Sequence, residues 1–192
     1  MRTLIYTAFV SLDGVVDSPG GGGSETHRSA GWTFKDLDFV EEAYEIKGRE
    51  QEEGTAMLLG RVSYEAFSPV WPAMEEFAEY KVMPKYVVST TLTDDDLVSN
   101  WGDTTILGSL EEVAELKKTE GGPIIIHGSA TLCRNLSDAR LIDRYHLLLF
   151  PLLLGAGKRI YTETDKDKEM LNLIESETYT NGIQKLVYDV VH

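Results

Sequence analysis

Between Gly121 and Ala130 the chain runs Gly-Gly-Pro-Ile-Ile-Ile-His-Gly-Ser-Ala, and this stretch narrows the available folds more than any other. Three consecutive isoleucines leave no polar alternation, so a strand built from them has both faces covered, the condition of a strand inside a parallel sheet. The isoleucines give way at once to small residues. Gly128 permits close backbone approach, and Ser129 is a helix N-cap candidate before Thr131-Leu132-Cys133-Arg134-Asn135-Leu136. The unpaired amides and positive dipole end of such a helix favour an anion such as a pyrophosphate. A plain strand-to-helix turn of an α/β protein has the same pattern, and the run by itself does not choose.

Other strands repeat the arrangement. Residues 2–10 read as a first strand, followed by Ser11-Leu12-Asp13-Gly14 and a glycine run from Gly20 to Gly23 that holds no regular structure. From Asp36, the positions Leu37, Val40 and Tyr44 predict one helical face, while Glu41, Glu42, Glu45, Glu50, Glu52 and Glu53 make the rest a solvated acidic side. Thr55–Leu59 reads as a second strand that breaks at Gly60-Arg61 into a short helix through Tyr64 and Phe67. Strands follow at Tyr86–Thr90 and Thr104–Leu107, and Ser109-Leu110-Glu111-Glu112 is a capping box opening a helix to about Lys118. Tyr145–Phe150 is again apolar. Leu171–Tyr179, Asn181-Gly182 and Ile183–Val191 predict an antiparallel hairpin. The expected architecture is one α/β domain over 1–192, with a mixed, mainly parallel sheet ending in that hairpin.

Charge restricts partners. With 18 Lys plus Arg against 32 Asp plus Glu, the net charge of -14 repels phosphate backbones and anionic lipid, so nucleic-acid and membrane partners are not expected. An anionic cofactor would need local cations. The single cysteine, Cys133, reads as core packing, and the histidines at 27, 127, 146 and 192 show no metal-ligand spacing. The N-terminus has no signal-peptide pattern and no segment is long enough to span a bilayer, so a cytoplasmic location is expected.

Several residues have chemistry worth following. Gly60-Arg61 offers amides and a guanidinium to phosphate oxygens, although Arg61 and Glu65 are also spaced to pair on one helix face. Ser89-Thr90-Thr91 places hydroxyls at a strand's carboxyl end, where ligands of open α/β sheets sit. His127 reads either as a ligand contact or as a satisfied buried histidine. Asp13 reads as a tight-turn residue or a catalytic carboxylate, and Trp32 and Phe34 as an aromatic wall or a core seal. Asp36 and Asp38 suit a helix N-terminus.

In order along the chain, Ser11-Leu12-Asp13-Gly14, Gly31-Trp32-Thr33-Phe34, Leu58-Leu59-Gly60-Arg61-Val62-Ser63-Tyr64-Glu65, Pro84–Ser89, Gly128-Ser129 and Leu152-Leu153-Leu154-Gly155-Ala156-Gly157 resemble the dihydrofolate reductase-like family. The resemblance is to stand-alone proteins similar to the C-terminal reductase domain of the bifunctional riboflavin-biosynthesis enzyme, and it runs nearly end to end. It implies a three-layer α/β/α fold, NADPH as cofactor, a heterocyclic substrate and a homodimer. Gly60 and Arg61 would then meet the cofactor phosphates, with Ser89 or Thr90 beside the 2′-phosphate. Gly128, Ser129 and Ala130, preceded by His127, would cradle the pyrophosphate. Asp13 would lie near nicotinamide and substrate, with Ser11, Trp32, Phe34, Tyr64, Leu154 and Gly155 as substrate-side residues. Many relatives have Gly-Gly where this chain has His127-Gly128, and a basic residue where it has Val15-Val16-Asp17. The implied reaction is reduction of 5-amino-6-(5-phosphoribosylamino)uracil. Dihydrofolate reduction, with Asp36 or Asp38 holding the pterin, and a non-catalytic nucleotide or small-ligand binder remain the alternatives.

Overall fold

The three isoleucines lie at the centre of the sheet. In a computed structural model describing residues 1–22, 25–162 and 168–191, β5 (Ile124–His127) is parallel to β1 (Leu4–Ser11) on one side and to β2 (Ala56–Gly60) on the other. Ile124, Ile125 and Ile126 are at most 1% exposed, as a strand covered on both faces requires. Outward from β2 come β3 (Lys85–Val88) and β4 (Thr104–Leu107), and outward from β1 comes β6 (Arg144–Phe150), all parallel. The antiparallel hairpin of β7 (Leu171–Thr178) and β8 (Gln184–Val190) completes the eight-stranded order β4-β3-β2-β5-β1-β6-β8-β7. Its turn is tight: Gly182 has φ +85° and donates its amide to Tyr179. This is the mixed, mainly parallel sheet that the sequence predicts. Gly23 and His192 lie outside the described residues.

Because side chains alternate across a strand, β1 sends Leu4, Tyr6 and Ala8 to one face and Ile5, Thr7 and Phe9 to the other. On the first face, α5 (Leu110–Lys118) and α6 (Ala130–Asp138) close one continuous apolar cluster with Val113, Leu132, Cys133 and Leu136. The second face is covered by α1 (Trp32–Lys35), α2 (Glu45–Glu53), α3 (Arg61–Phe67) and α4 (Ala78–Val82), and its core falls into two clusters. Phe9, Trp32, Ile46, Leu148 and Phe150 pack on the β1-β6-β8 side, and Met57, Leu59, Tyr64, Tyr80 and Val87 on the β2-β3 side. Between them runs a seam of polar side chains.

The helix expected from Asp36 begins only at Glu45, after a short 3-10 turn at Glu41–Tyr44. Val40 is extended at φ -124°, and Phe34 and Phe39 both stack on Tyr44, at centroid distances of 6.2 and 5.2 Å. Tertiary ring contacts thus override the helical spacing of Leu37, Val40 and Tyr44. Asp36 is the C-cap residue of α1, and both Asp36 and Asp38 are exposed.

Candidate functional site

All six parallel strands end on one edge of the sheet, at Ser11, Gly60, Val88, Leu107, His127 and Phe150. In an open α/β sheet that edge is where ligands bind. There the turn after β2 meets the turn after β5. Gly60 donates its amide to Ser129 Oγ at 3.1 Å, and that hydroxyl also lies 2.6 Å from Ser63 Oγ. A Cβ on Gly60 would stand 2.7 Å from Ser129 Oγ, so only glycine allows this contact. Gly128 and Ser129 are both left-handed, at φ +62° and +58°. Ser129 does occupy the N-cap position of α6, but its side chain makes no cap bond, because Gly60 and Ser63 engage it instead. The first turn of α6 consequently faces the edge without a side-chain cap, in the arrangement that receives an anion.

The cations and hydroxyls expected around this junction are partly in place. Arg61 begins α3 and bonds Glu65 at 2.8 and 2.9 Å, with its side chain 44% exposed. Such an exposed i,i+4 pair is weak and can be exchanged for a phosphate. Ser89 Oγ accepts the amides of Thr91 and Leu92, and Thr90 is exposed. His127 points down the second face rather than into the α6 amides: its Nε2 shares a 2.7 Å hydrogen bond with the Tyr80 hydroxyl, and Trp71 meets it edge-on at 5.4 Å.

Asp13 is fully engaged. Its carboxylate accepts from Ser11 Oγ at 2.6 Å, from the Leu154 and Gly155 amides at 3.1 and 2.8 Å, and from Arg159 at 3.2 Å. The Ser11 hydroxyl foremost, then the Leu154 amide, hold its carboxyl well below the usual aspartate range. An ionised carboxylate with four donors has no proton to give. Its place in the fold is to stitch the turn after β1 to the segment after β6. Four other residues expected on the substrate side, Trp32, Tyr64, Ser11 and Leu154, are buried. Trp32 is 1% exposed, donates to Asp17 O at 2.8 Å and meets Phe150 edge-on, so it seals the core. Tyr64 is 1% exposed, with its hydroxyl accepting the Val98 amide, and Ser11 is fully buried beneath Asp13. Leu154 is 7% exposed, whereas Phe34 at 58% and Gly155 remain accessible.

The seam on the second face holds the residues that sequence reasoning missed. Thr7 pairs in register with His127 of β5 and His146 of β6, which lays three polar side chains in a row across the sheet. Above the row, α2 brings Lys47 and Glu50. Glu50, counted among the solvated acids by sequence, is 1% exposed and accepts from Thr7 Oγ1 at 2.7 Å and His146 Nδ1 at 2.9 Å. Lys47 Nζ bonds Thr7 Oγ1, lies 3.4 Å from Glu50 and sits 5.0 Å over the Phe9 ring. Burial pushes the Glu50 carboxyl up, but the Lys47 ammonium and the His146 bond outweigh it and hold the group at about 2. A signal was present: Glu50 continues the buried spacing of Ala43 and Ile46, and Thr7 and His146 interrupt apolar strands.

Burial lowers His127 from 6.5 to about 4, with Glu50 opposing the shift and Lys47 adding to it. Between those values the unfolded chain binds a proton that the folded chain refuses, so stability falls as pH drops through that window. His127→Asn is expected to reduce the loss of stability between about pH 7 and pH 4 by roughly 2–3 kcal/mol. Urea titrations of both proteins at the two pH values check this.

Among the described residues, no group of three or more His, Cys, Asp or Glu is placed to hold a metal, and no helix is long and apolar enough to cross a membrane. Comparison with known proteins places this geometry in a wider group. YyaP, an uncharacterized protein of Bacillus subtilis (strain 168), is 26% identical over 97% of this chain and 94% of its own length. A Shewanella sp. PV-4 protein, provisionally described as a riboflavin biosynthesis protein, superimposes with a TM-score of 0.75 at 19% identity, covering 99% of both chains. A pyrimidine reductase-like protein of Corynebacterium diphtheriae gives 0.62 at 12% identity, over 99% of this chain and 92% of its own. These two show the shared fold. The family model for the RibD C-terminal domain matches residues 2–185, nearly the whole sequence that builds the sheet and both turns of the glycine-serine junction, and the chain belongs to that family.

Proposed function

We propose that the protein is an NADPH-dependent reductase of a flat heterocycle, with 5-amino-6-(5-phosphoribosylamino)uracil as the first substrate to test. The observation that carries this reading is the Gly60–Ser129 junction, where two strand-to-helix turns meet so closely that a Cβ would stand 2.7 Å from the hydroxyl between them. Gly60, Gly128, Ser129 and Ala130 would hold the pyrophosphate against the amides of α6, and Arg61 with Ser89 or Thr90 would hold the 2′-phosphate. Bound there, reduced nicotinamide supplies a hydride. The protein orients the heterocycle beside it, with Phe34 and Tyr44 as flat apolar surface and the Asp13-stitched loop fixing the end of β1. Membership of the RibD C-terminal domain family and the likeness to a pyrimidine reductase-like protein support a pyrimidine over a pterin.

Two measurements test the reading. Arg61→Ala is expected to weaken NADPH binding by about 10-fold or more while leaving NADH within about twofold, because only NADPH has the 2′-phosphate. Equal losses for both nucleotides would remove Arg61 from that role. Nicotinamide absorbance should fall when NADPH and the aminouracil are mixed with the protein. Tight methotrexate binding would favour dihydrofolate reduction instead, and NADPH binding without turnover of any heterocycle would favour a binding protein.

A further inference from the structure

From the seam, ring contacts and strand register lead toward the glycine-serine junction. A Cβ on Gly128 would lie 3.9 Å from the Phe67 ring, Phe67 stacks on Trp71 at 4.2 Å, and Trp71 meets His127 edge-on. His127 is in register with Thr7, which bonds Lys47. The second face therefore presents aromatic surface on both sides, Phe67 and Trp71 opposite Phe9 and Tyr44, with a polar floor between. Within the network of that floor two side chains keep some exposure: Lys47 is 18% exposed, against 0% for Glu50 and 4% for His146, and His127 is half-buried with its Nε2 bonded to Tyr80.

We propose that Lys47 is the cation that meets the heterocycle at this floor and gives it the proton that accompanies reduction, an inference that rests on the reductase reading above. The neighbouring groups are poorly suited to that task. Asp13 is ionised with its oxygens engaged, Arg159 is committed to Asp13 and the Gly155 carbonyl, and burial keeps His127 neutral with Nε2 on Tyr80. Lys47 has both the proton and the means to release it. Desolvation lowers its pKa from 10.5, against the pull of Glu50. Thr7 and Glu50 fix the ammonium in position, and His146 fixes Glu50.

In the step, the substrate's electrophilic C=N or C=O carbon takes the hydride from reduced nicotinamide. The π pair moves to the heteroatom, which takes a proton from the Lys47 ammonium. Two electrons and one hydrogen arrive as hydride, one proton arrives from lysine, and the neutral amine recovers its proton from water at its exposed end. Glu50 remains ionised throughout, which favours reprotonation of the amine beside it.

Lys47→Met and Lys47→Arg test the assignment together, since arginine keeps the charge beside Glu50 should methionine impair folding. Both should lower kcat by about 100-fold or more while NADPH affinity stays within about threefold. Wild-type kcat should fall on the alkaline side as Lys47 loses its proton, and both variants should lack that limb. The titratable groups facing Lys47 are Glu50 of α2, His146 of β6, His127 of β5 and Tyr80 of α4. Glu50 and His127 titrate on the acid side and Tyr80 is driven far above its ordinary value, so none of these three reproduces the limb, and His146 bonds Glu50 rather than Lys47.

A second readout is independent of turnover. After reductive ¹³C-methylation of the wild-type protein, the Lys47 resonance, identified by its absence in Lys47→Arg, should titrate below the surface lysines and move when the aminouracil is added but not with NADPH alone. A Lys47 resonance that titrates with the surface lysines and ignores the aminouracil overturns the proposal, as does a kcat within about threefold of wild type in both variants. If NADPH is never consumed while the Lys47 resonance still responds to the aminouracil, the reductase reading fails and Lys47 stands as a ligand-contacting cation only.

Discussion

Replacing Glu50 by leucine is expected to lower the unfolding free energy by about 3–5 kcal/mol, the range for removing one partner of a buried ion pair. The side chain is fully enclosed and takes hydrogen bonds from Thr7 and His146, with the Lys47 ammonium 3.4 Å away. Without the carboxylate, Lys47 retains a charge among Phe9, Thr7 and His146 with no counterion, and two donors lose their acceptor. Urea denaturation measures the loss. The companion variant Lys47→Met/Glu50→Leu should recover more than half of it, because removing both charges leaves an apolar contact rather than an uncompensated ion. A single Glu50→Leu variant as stable as wild type would mean that α2 does not bury this pair against β1 and β6.

Gly60→Val should leave the chain folded but weaken NADPH binding by about 100-fold or more. A side chain there would begin 2.7 Å from Ser129 Oγ, which would have to leave both the Gly60 amide and Ser63. The two turns would then separate where the pyrophosphate is proposed to lie. Combining Gly60→Val with Ser129→Gly relieves the steric conflict without rebuilding the junction, so thermal stability should recover and NADPH affinity should not. Fluorescence titration of the nucleotide against each variant decides this. Unchanged affinity in Gly60→Val would exclude the junction as the phosphate site.

The strands along the chain and the strand-to-glycine-to-helix turns were legible because they depend on local chemistry. Triple isoleucine cannot form a half-exposed strand, and a glycine after a strand marks a close approach. The apolar spacing at Leu37, Val40 and Tyr44 misled because stacking of Phe34 and Phe39 on Tyr44 controls that segment and delays the helix to Glu45. Trp32 was legible only as an aromatic wall or a core seal, and burial of Trp32 and Tyr64 came from the fold, since an aromatic beside a site looks the same in sequence whichever way its ring turns. The polar seam was hidden for another reason. Thr7, Lys47, Glu50 and His146 come from β1, α2 and β6, and only the register of β1 beside β6 brings them together. Glu50 differs from its solvated neighbours solely by lying on the face of α2 that carries Ile46.

The most direct test of the whole account is the fate of the hydride. NADPH deuterated at its transferable position is incubated with the protein and 5-amino-6-(5-phosphoribosylamino)uracil, and the product is weighed by mass spectrometry. A single deuterium carried into the ribityl chain of the product, lost when Gly60 is replaced by valine, is the predicted result. Substrate recovered without deuterium, or oxidation of NADPH with no label in the product, would contradict the assignment of this chain as a reductase.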